Sequence, residues 1–296
     1  MHPGQLSISV PDVQCLVAGQ FPRWASLPVT AVNSVGTVNA LFRLGPALAL
    51  RFPLEPGDPA VVLRGLRQEA RAAGELLGRT RFPTPEPVAI GEPGCGYPLP
   101  WAVQTWVPGE TAFLVDAGSS DAFAQDLASF ILEVRAIDVG DRFFAGTGRG
   151  GRLSDSDAWM QTCFERSEGL LDVDVLRTLW DSWRELPRGS APDVMSHRDL
   201  IPGNVLVAGG RLAGVLDVGG LGPADPALDL VAAWHLLEPG PRGVLRAILG
   251  SAEDEWERGR AWAFVQAMGL VWYYETTNPA MSGLGRRTLA RIGSEG

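Results

Sequence analysis

The sequence predicts an α+β protein of two lobes, in which a small, mostly antiparallel β-sheet with one main helix precedes a larger, mainly helical lobe. Two observations support this prediction. Short apolar runs typical of strands, interrupted by one amphipathic stretch, fill residues 27–107, whereas helical periodicity dominates after Pro108-Gly109. We therefore expect an N-terminal lobe over residues 1–107 and a C-terminal lobe over residues 108–296.

The predicted elements of the N-terminal lobe follow one another closely. LPVTAVN is a strand candidate, and the apolar runs 39–44 and 47–52 flank Gly45-Pro46, which favours a hairpin. A helix is predicted over 58–79, because Pro59 stands at a favourable first position and apolar residues recur at helical spacing. FPTPEP ends that helix, and PVAIG and WAVQTWV are predicted to be two further strands.

The C-terminal lobe is predicted to be mostly helical. Ser120 is expected to cap a helix that runs to about Ile137 and presents its apolar residues on one face. Further helical patterns lie near residues 155–168, 172–185, 225–237, 241–250 and 252–275. Between them, NVLVA-GG-RLAGVLD predicts a β-hairpin that turns at Gly209-Gly210.

The composition excludes several classes of function. A net charge of −9 argues against a nucleic-acid or anionic-membrane surface and suits a cationic small substrate. MHPGQLSISV has no secretory pattern, and no apolar run reaches the ~18 residues that a membrane span needs. Cys15, Cys95 and Cys163 have no metal-ligand or CxxC spacing, which fits a reducing cytoplasm. We therefore expect a cytoplasmic protein with no nucleic-acid or membrane partner.

Polar side chains are concentrated between apolar runs in SHRDLIPGNVLVAGGRLAGVLDVGGLGPADPALDL. Asp199 and Asn204 belong to a loop, since Pro202-Gly203 forbids a regular helix there. The predicted hairpin brings its two ends together, so Asn204 and Asp217 become neighbours that could share Mg²⁺ through hard oxygen ligands. Each residue alone could be a simple turn or capping residue. Together they indicate phosphoryl transfer.

HRDLIPGNVLV followed by GVLDVGGLGPADPALDL resembles the aminoglycoside phosphotransferase family, whose members share the protein-kinase-like fold. SVGTVNALFRLG, ALALRFP and GYPLPWAVQTWVPGE are similar to that family in order and spacing, so the resemblance covers roughly residues 30–240. It implies a small-molecule kinase with Mg²⁺ as cofactor. Such an enzyme transfers the γ-phosphoryl of ATP or GTP to a hydroxyl of an aminoglycoside-like or other antibiotic substrate.

The resemblance also implies roles for residues of the C-terminal lobe. Asp199 would be the catalytic base that orients the substrate hydroxyl, and Asn204 and Asp217 would be the Mg²⁺ ligands. His197 would hold the catalytic loop from beneath, and Asp229 would support the same loop from a helix start.

In the N-terminal lobe, the resemblance implies a nucleotide site. Thr105 and Val107 would offer backbone hydrogen bonds to the purine ring at the hinge between the lobes. Ser34 and Gly36 would lie in the loop over the phosphates.

The chain departs from the family's pattern at one chemically important position. Arg51 stands where the family usually has a lysine paired with a helix glutamate, here Glu69. A guanidinium can bind phosphate and carboxylate oxygens together, so the ion pair is still expected. A protein-kinase reading fails because Asp225 follows Asp217 by only 8 residues (225 − 217), which leaves no activation segment. Ile201 also replaces the lysine of protein kinases.

The C-terminal half is rich in tryptophan and tyrosine, which could form a cleft for a bulky cationic or sugar-like molecule. Trp272 and Glu275 are the preferred substrate candidates, although helical core packing explains most of these aromatic residues equally well. Two alternatives stay open at this point. The protein could be a metabolic kinase for choline, a fructosamine or homoserine, or a non-catalytic module that binds a nucleotide or small molecule. Either a monomer or a homodimer is expected.

Overall fold

The computed structural model describes residues 4–32, 38–146, 149–188 and 191–294. The chain divides into two compact units. The first comprises Met1–Leu77, Pro83–Pro108 and Leu216–Gly219, and the second comprises Gly78–Phe82, Gly109–Val215 and Gly220–Gly296. The main division thus follows Pro108, beside the expected boundary. The short segment that carries Asp217 belongs to the first unit, although the sequence suggests the C-terminal lobe for it.

The first unit contains a five-stranded antiparallel sheet of order β1-β2-β3-β5-β4. Its elements are α1 (Val10–Gln20), β1 (Val29–Val32), β2 (Asn39–Leu44), β3 (Leu48–Pro53), α2 (Pro59–Leu76), β4 (Pro87–Gly91) and β5 (Trp101–Thr105). The predicted hairpin and the single helix inserted after the third strand are confirmed. Helix α2 starts at Pro59, with Asp58 Oδ1 accepting the Ala60 amide at 2.8 Å, and it ends three residues before Arg79 (79 − 76).

Helix α1 was not predicted, and it supplies part of the first unit's core. Ser9 and Asp12 form a capping box at its start. Val13 and Leu16 are buried against the sheet in a cluster that includes Phe52 and Trp101, whose rings stack at 4.8 Å. A Cβ at Gly91 would lie 2.1 Å from the Trp101 indole, so β4 approaches this ring as only glycine allows.

A disulfide joins Cys15 of α1 to Cys95 of the segment between β4 and β5, across a sequence separation of 80 residues. The cysteine spacing, which was taken to fit a reducing cytoplasm, did not indicate this pair. The two residues are distant in sequence and form no recognisable motif, so only the packing of α1 brings them together. Cys163 is a free, buried thiol.

Reduction of the Cys15–Cys95 disulfide is expected to destabilise the first unit. A cross-link across 80 residues restricts the unfolded chain, which typically contributes about 2–4 kcal/mol to the free energy of unfolding. Thermal unfolding with and without a thiol reductant will measure the effect. The double variant Cys15→Ser/Cys95→Ser is the control, and its Tm should be insensitive to reductant. Equal reductant sensitivity of the two proteins would contradict the prediction.

The second unit contains seven of the described helices and two small sheets. Its helices are α3 (Asp121–Arg135), α4 (Asp157–Arg166), α5 (Val173–Trp183), α6 (Val231–Leu236), α7 (Pro239–Leu249), α8 (Glu253–Tyr273) and α9 (Pro279–Gly293). Its strands are β6 (Glu110–Thr111), β7 (Val194–Ser196), β8 (Val205–Ala208), β9 (Arg211–Val215) and β10 (Gly222–Ala224). The sheets have the orders β6-β8-β9 and β10-β7.

The predicted hairpin of the second unit is confirmed. Val205 pairs with Val215, and the turn places Gly209 and Gly210 at φ values of 58° and 72°. Glycine adopts this left-handed region without steric cost, so the Gly-Gly sequence determines the turn. Residues 225–237 were predicted to be helical throughout. In the structure, a 3-10 helix over Pro226–Leu230 precedes the α-helix α6.

Helix α8 is the centre of the second unit and is buried on most of its surface. It packs against α4, α5, α6 and α9. A helix with apolar contacts all round is typical of the core of a large domain. Among the described residues, no helix combines the length and the apolar character that a membrane crossing requires.

His235 of α6 gives the second unit a pH-dependent stability. Its ring nitrogens lie 2.9 Å from Thr288 Oγ1 and 2.8 Å from Gln266 Oε1, and burial lowers the pKa of His235 to about 4. In the unfolded chain, His235 has a pKa near 6.5 and therefore binds a proton more tightly than in the folded protein. The free energy of unfolding is therefore highest above pH 6.5, where His235 is neutral in both states. We expect it to fall by about 2 kcal/mol between pH 7.5 and about pH 5.

Denaturant unfolding at a series of pH values will test this expectation. The variant His235→Gln should unfold with a weaker pH dependence between about pH 4 and 6.5, whatever its absolute stability. Equal slopes for the variant and the original protein would assign the pH dependence to other groups.

Candidate active site

The loop that follows β7 is anchored by Asp229. Its carboxylate accepts hydrogen bonds from Ser196 Oγ at 2.8 Å, the His197 amide at 3.0 Å and the Arg198 amide at 2.9 Å. His197 is fully buried, and its Nδ1 accepts the Asp199 amide at 3.3 Å. Arg198 adopts a left-handed φ of 73° in this loop. Burial of its guanidinium lowers the pKa of Arg198. The contacts expected of His197 and Asp229 as supporting residues are therefore present.

Asp199 projects from this loop and is one-third exposed. Asn204 Nδ2 donates to Asp199 Oδ2 at 3.0 Å and to its backbone oxygen at 2.9 Å. Arg149 Nη1 lies 3.2 Å from Asp199 Oδ1, and Gln266 Nε2 lies 3.4 Å from the same oxygen. These contacts fix the orientation of the carboxylate. Since Asn204 uses its nitrogen here, its Oδ1 is the atom suited to a cation.

In the first unit, Arg51 joins two carboxylates. Its Nη1 lies 3.3 Å from Glu69 Oε2, and its Nη2 lies 3.3 Å from Asp217 Oδ1. The Arg51 side chain is only 17% exposed. The ion pair that was expected between Arg51 and Glu69 is thus present, and Asp217 is a second partner that the sequence did not indicate.

The Asp-Val-Gly sequence at 217–219 has a steric explanation. A Cβ at Gly219 would lie 2.7 Å from Glu69 Cγ, so a larger residue would displace the partner of Arg51. Val218 is buried, and Asp217 adopts a φ of 55°. Glycine at position 219 therefore leaves the space that the Glu69 side chain needs to contact Arg51.

A cavity of about 230 Å³ in the first unit is lined by Arg51, Glu69 and Asp217, with apolar walls from α2, β4 and β5. Thr105 and Val107 do not line it. The Thr105 amide donates to the Glu86 oxygen at 2.9 Å, so it is used within the sheet and not available to a purine. The backbone hydrogen bond expected from Thr105 to a purine would therefore have to come from its carbonyl oxygen. Ser34 and Gly36 lie outside the described residues.

A larger cavity of about 550 Å³ lies in the second unit beside Asp199. Arg149, Gln266, Trp159 and Tyr273 line it as well. Arg149, Gln266 and Trp159 were not selected from the sequence, whereas Tyr273 belongs to the aromatic residues considered for a cleft. Arg149 is 50 residues from Asp199 in sequence, and Gln266 is 67 residues from it. No local pattern indicates either contact.

Trp272 and Glu275, the preferred substrate candidates, do not line this cavity. Residues of α8 turn by about 100° per position, so the lining face carries Gln266, Gly269 and Tyr273 but not Trp272. Trp272 instead contacts the Trp159 ring, with ring centroids 5.9 Å apart.

Asp225 caps the 3-10 turn that follows it and also takes part in a buried ion pair. Its Oδ1 accepts the Ala227 amide at 3.1 Å, as expected for a cap. Its two oxygens also accept hydrogen bonds from Arg258 Nε at 2.9 Å and Nη2 at 3.1 Å. Both side chains are 5% exposed or less, so this is a buried, bidentate ion pair.

The chain is similar to known phosphotransferases. A family model described as "Phosphotransferase enzyme family" matches residues 34–262. Two aminoglycoside 3'-phosphotransferases of Escherichia coli are 27% identical over 147 residues and 32% identical over 151 residues. These alignments cover 47% and 46% of this chain and 53% and 52% of the relatives. The chain therefore spans about half the length of the curated relatives it matches.

Solved structures match nearly the whole chain. The GDP complex of aminoglycoside 2'-phosphotransferase-IIIa has a TM-score of 0.73 at 19% identity and covers 98% of this chain and 100% of its own. The apoenzyme of macrolide 2'-phosphotransferase MphH from Brachybacterium faecium has a TM-score of 0.62 at 17% identity, with coverages of 93% and 97%. The predicted two-lobed, kinase-like α+β fold is confirmed.

Proposed function

This chain belongs to the phosphotransferase enzyme family, and we propose that it transfers the γ-phosphoryl group of ATP or GTP to a hydroxyl of a small molecule. The proposed acceptor is an aminoglycoside-like or other antibiotic, since similar proteins include aminoglycoside and macrolide phosphotransferases. One observation carries the proposal. Asp199 lies oriented by Asn204 at the wall of a cavity of about 550 Å³, which is large enough for a drug-sized acceptor.

Asp199 is the proposed catalytic base. Its carboxylate accepts the proton of the acceptor hydroxyl as that oxygen forms a bond to the γ-phosphorus. The bond from phosphorus to the leaving oxygen breaks, and the nucleoside diphosphate departs with that electron pair. Because Asn204 and Gln266 hold both carboxylate oxygens, the base is already oriented before the acceptor binds.

Asn204 and Asp217 are the proposed Mg²⁺ ligands. The Asn204 Oδ1 and the Asp217 carboxylate are hard oxygen donors, which is the ligand chemistry that Mg²⁺ prefers. Arg51 contacts Asp217 through Oδ1, so Oδ2 is the oxygen we assign to the cation. Bound Mg²⁺ would supply charge neutralisation on the nucleotide phosphates.

The nucleotide would be held mainly by residues of the first unit. Arg51 can bind phosphate oxygens while it retains a carboxylate partner, because its nitrogens donate in different directions. The Val107 backbone, the Thr105 carbonyl, and the Ser34 and Gly36 segment are the further proposed contacts. Solved relatives in complex with GDP and with ADP support a purine nucleotide as co-substrate.

The proposed setting is the cytoplasm, where ATP and GTP are supplied, and the Cys15–Cys95 disulfide would be subject to reduction there. We propose no nucleic-acid or membrane partner, which the net charge of −9 supports. The proposed enzyme acts as a monomer or a homodimer.

A phosphotransfer screen tests this function. The full chain is incubated with Mg²⁺ and either ATP or GTP, together with kanamycin, streptomycin, a macrolide, choline, a fructosamine or homoserine. Mass spectrometry should detect a phosphorylated antibiotic and an equal amount of nucleoside diphosphate. Phosphorylation of choline, fructosamine or homoserine alone would instead assign a metabolic kinase. Nucleotide binding with no phosphorylated product would favour a non-catalytic module.

A further inference from the structure

The cavity beside Asp199 carries information about the acceptor. One part of its lining comes from Asp155, in the 3-10 turn before α4, and from Trp159, in the first turn of α4. Another part is the face of α8 that includes Gln266, Gly269 and Tyr273. A hydroxyl compound in this cavity would contact both parts of the lining while it reaches Asp199.

The charges along the cavity do not suit a compound with many ammonium groups. The acidic residues of its lining are Asp155 and Asp199, and Arg149 is a cation of the same lining. Arg149 is already 3.2 Å from Asp199, so it neutralises that carboxylate and repels further positive charge. Asp155 accepts only a backbone amide, at 3.3 Å from Arg152 N, among the contacts of the described residues. The lining therefore offers one carboxylate to a cationic ligand.

Aromatic and aliphatic side chains make up much of the remaining surface. Trp159 is 43% exposed and Tyr273 is 46% exposed, although both line a concave site. Trp159 packs closely on the backbone of Gly269, where an added Cβ would lie 2.7 Å from its ring, and it also contacts the Trp272 ring. The aliphatic lining residues are Ile201, Val265, Leu270 and Met281. A rigid, exposed aromatic surface of this kind binds apolar ligand surface.

We propose that the acceptor of this enzyme is a largely apolar hydroxyl compound that carries a single basic amine. The amine binds Asp155, the apolar body packs against Trp159 and Tyr273, and the hydroxyl contacts Asp199. This inference rests on the proposed function, because it assigns Asp199 to the reacting hydroxyl. Such a compound differs from an aminoglycoside, which carries several ammonium groups. In this cavity those groups would have only the Asp155 carboxylate available, and Arg149 would repel them.

Direct binding and phosphotransfer will be measured with two probes on the full chain. One probe is a macrolide with a single dimethylamino sugar, and the other is kanamycin. Calorimetry should detect tighter binding of the macrolide, and kcat/KM for the macrolide should exceed that for kanamycin. Equal or tighter binding of kanamycin, or no binding of the macrolide, overturns the inference. Macrolide binding with no transfer from either nucleotide to any probe overturns the proposed function, whereas transfer to kanamycin in preference to the macrolide overturns this inference alone.

Three variants locate the contacts. Trp159→Ala removes apolar contact surface and should weaken macrolide binding roughly tenfold. Gly269→Ala should have a similar effect because the added Cβ displaces the Trp159 ring, although alanine favours the helix more than glycine does. Asp155→Asn retains an oxygen for the Arg152 amide and should raise KM for the macrolide while kcat stays unchanged. Phe143→Ala is the matched control, since Phe143 is 70% exposed and does not line the cavity. Equal effects of Phe143→Ala and Trp159→Ala would overturn the inference.

Discussion

Asp199→Asn will reduce kcat for phosphoryl transfer by about 10²–10⁴-fold, the range that a positioned general base contributes. Asparagine has nearly the shape of aspartate, and it can still accept the Asn204 Nδ2 hydrogen bond that the carboxylate accepts at 3.0 Å. It cannot accept a proton from the acceptor hydroxyl. Nucleotide affinity should change little, because the proposed nucleotide contacts are made by other residues.

A coupled assay for nucleoside diphosphate release will give kcat and KM, and calorimetry will give the nucleotide Kd. Asp174→Asn is a suitable control, since Asp174 is an exposed carboxylate in the first turn of α5, and its kcat should be unchanged. If Asp199→Asn retains full activity, the assignment of the base is wrong. Loss of nucleotide binding together with activity would indicate a folding defect instead.

Asp225→Ala will lower the free energy of unfolding by about 3–5 kcal/mol, because it leaves the buried Arg258 guanidinium without its counter-charge. Arg258 Nε and Nη2 donate to Asp225 at 2.9 Å and 3.1 Å. Neither side chain is accessible enough for water to replace the lost partner. The same substitution also removes the cap of the 3-10 turn that begins at Pro226.

Chemical denaturation will measure this loss. The exposed pair of Arg246 and Glu253 provides the comparison, because the Glu253 side chain is 71% exposed. Glu253→Ala should cost about 0–1 kcal/mol, as solvent-exposed pairs usually do. If Asp225→Ala costs no more than Glu253→Ala, the buried pair contributes no more than a surface pair.

The features that sequence analysis identified correctly depend on short segments of chain. The β8–β9 hairpin follows from two apolar runs around Gly209-Gly210, whose positive φ values no other residue type adopts as readily. The loop with Asp199 and Asn204 follows from Pro202-Gly203 and the apolar strand after it. Such elements can be predicted because the interactions that determine them lie within a few residues of each other.

The features that were missed depend on contacts between distant parts of the chain. Arg149 and Gln266 reach Asp199 across 50 and 67 residues of sequence. The Cys15–Cys95 disulfide depends on the packing of α1, whose capping box at Ser9 was the one local signal available. Composition and spacing carry no record of such distant contacts.

The cavity-lining residues of α8 illustrate a different limit of prediction from sequence. The sequence indicates an aromatic helix but not its rotation about its own axis. Trp272 and Tyr273 are adjacent in sequence, yet Tyr273 lines the cavity whereas Trp272 does not and contacts the Trp159 ring. Rotation is set by the residues that pack around the whole helix, and α8 is buried on too many sides for an apolar stripe to define it.

Arg51 has a consequence for chemical profiling of nucleotide-binding proteins. Acylating reagents react with a neutral lysine amine, whereas a guanidinium, which stays protonated, is a poor nucleophile towards them. All 25 basic residues of this chain, apart from histidines, are arginines. A survey based on lysine acylation would therefore overlook this protein even where it is abundant and fully loaded with nucleotide.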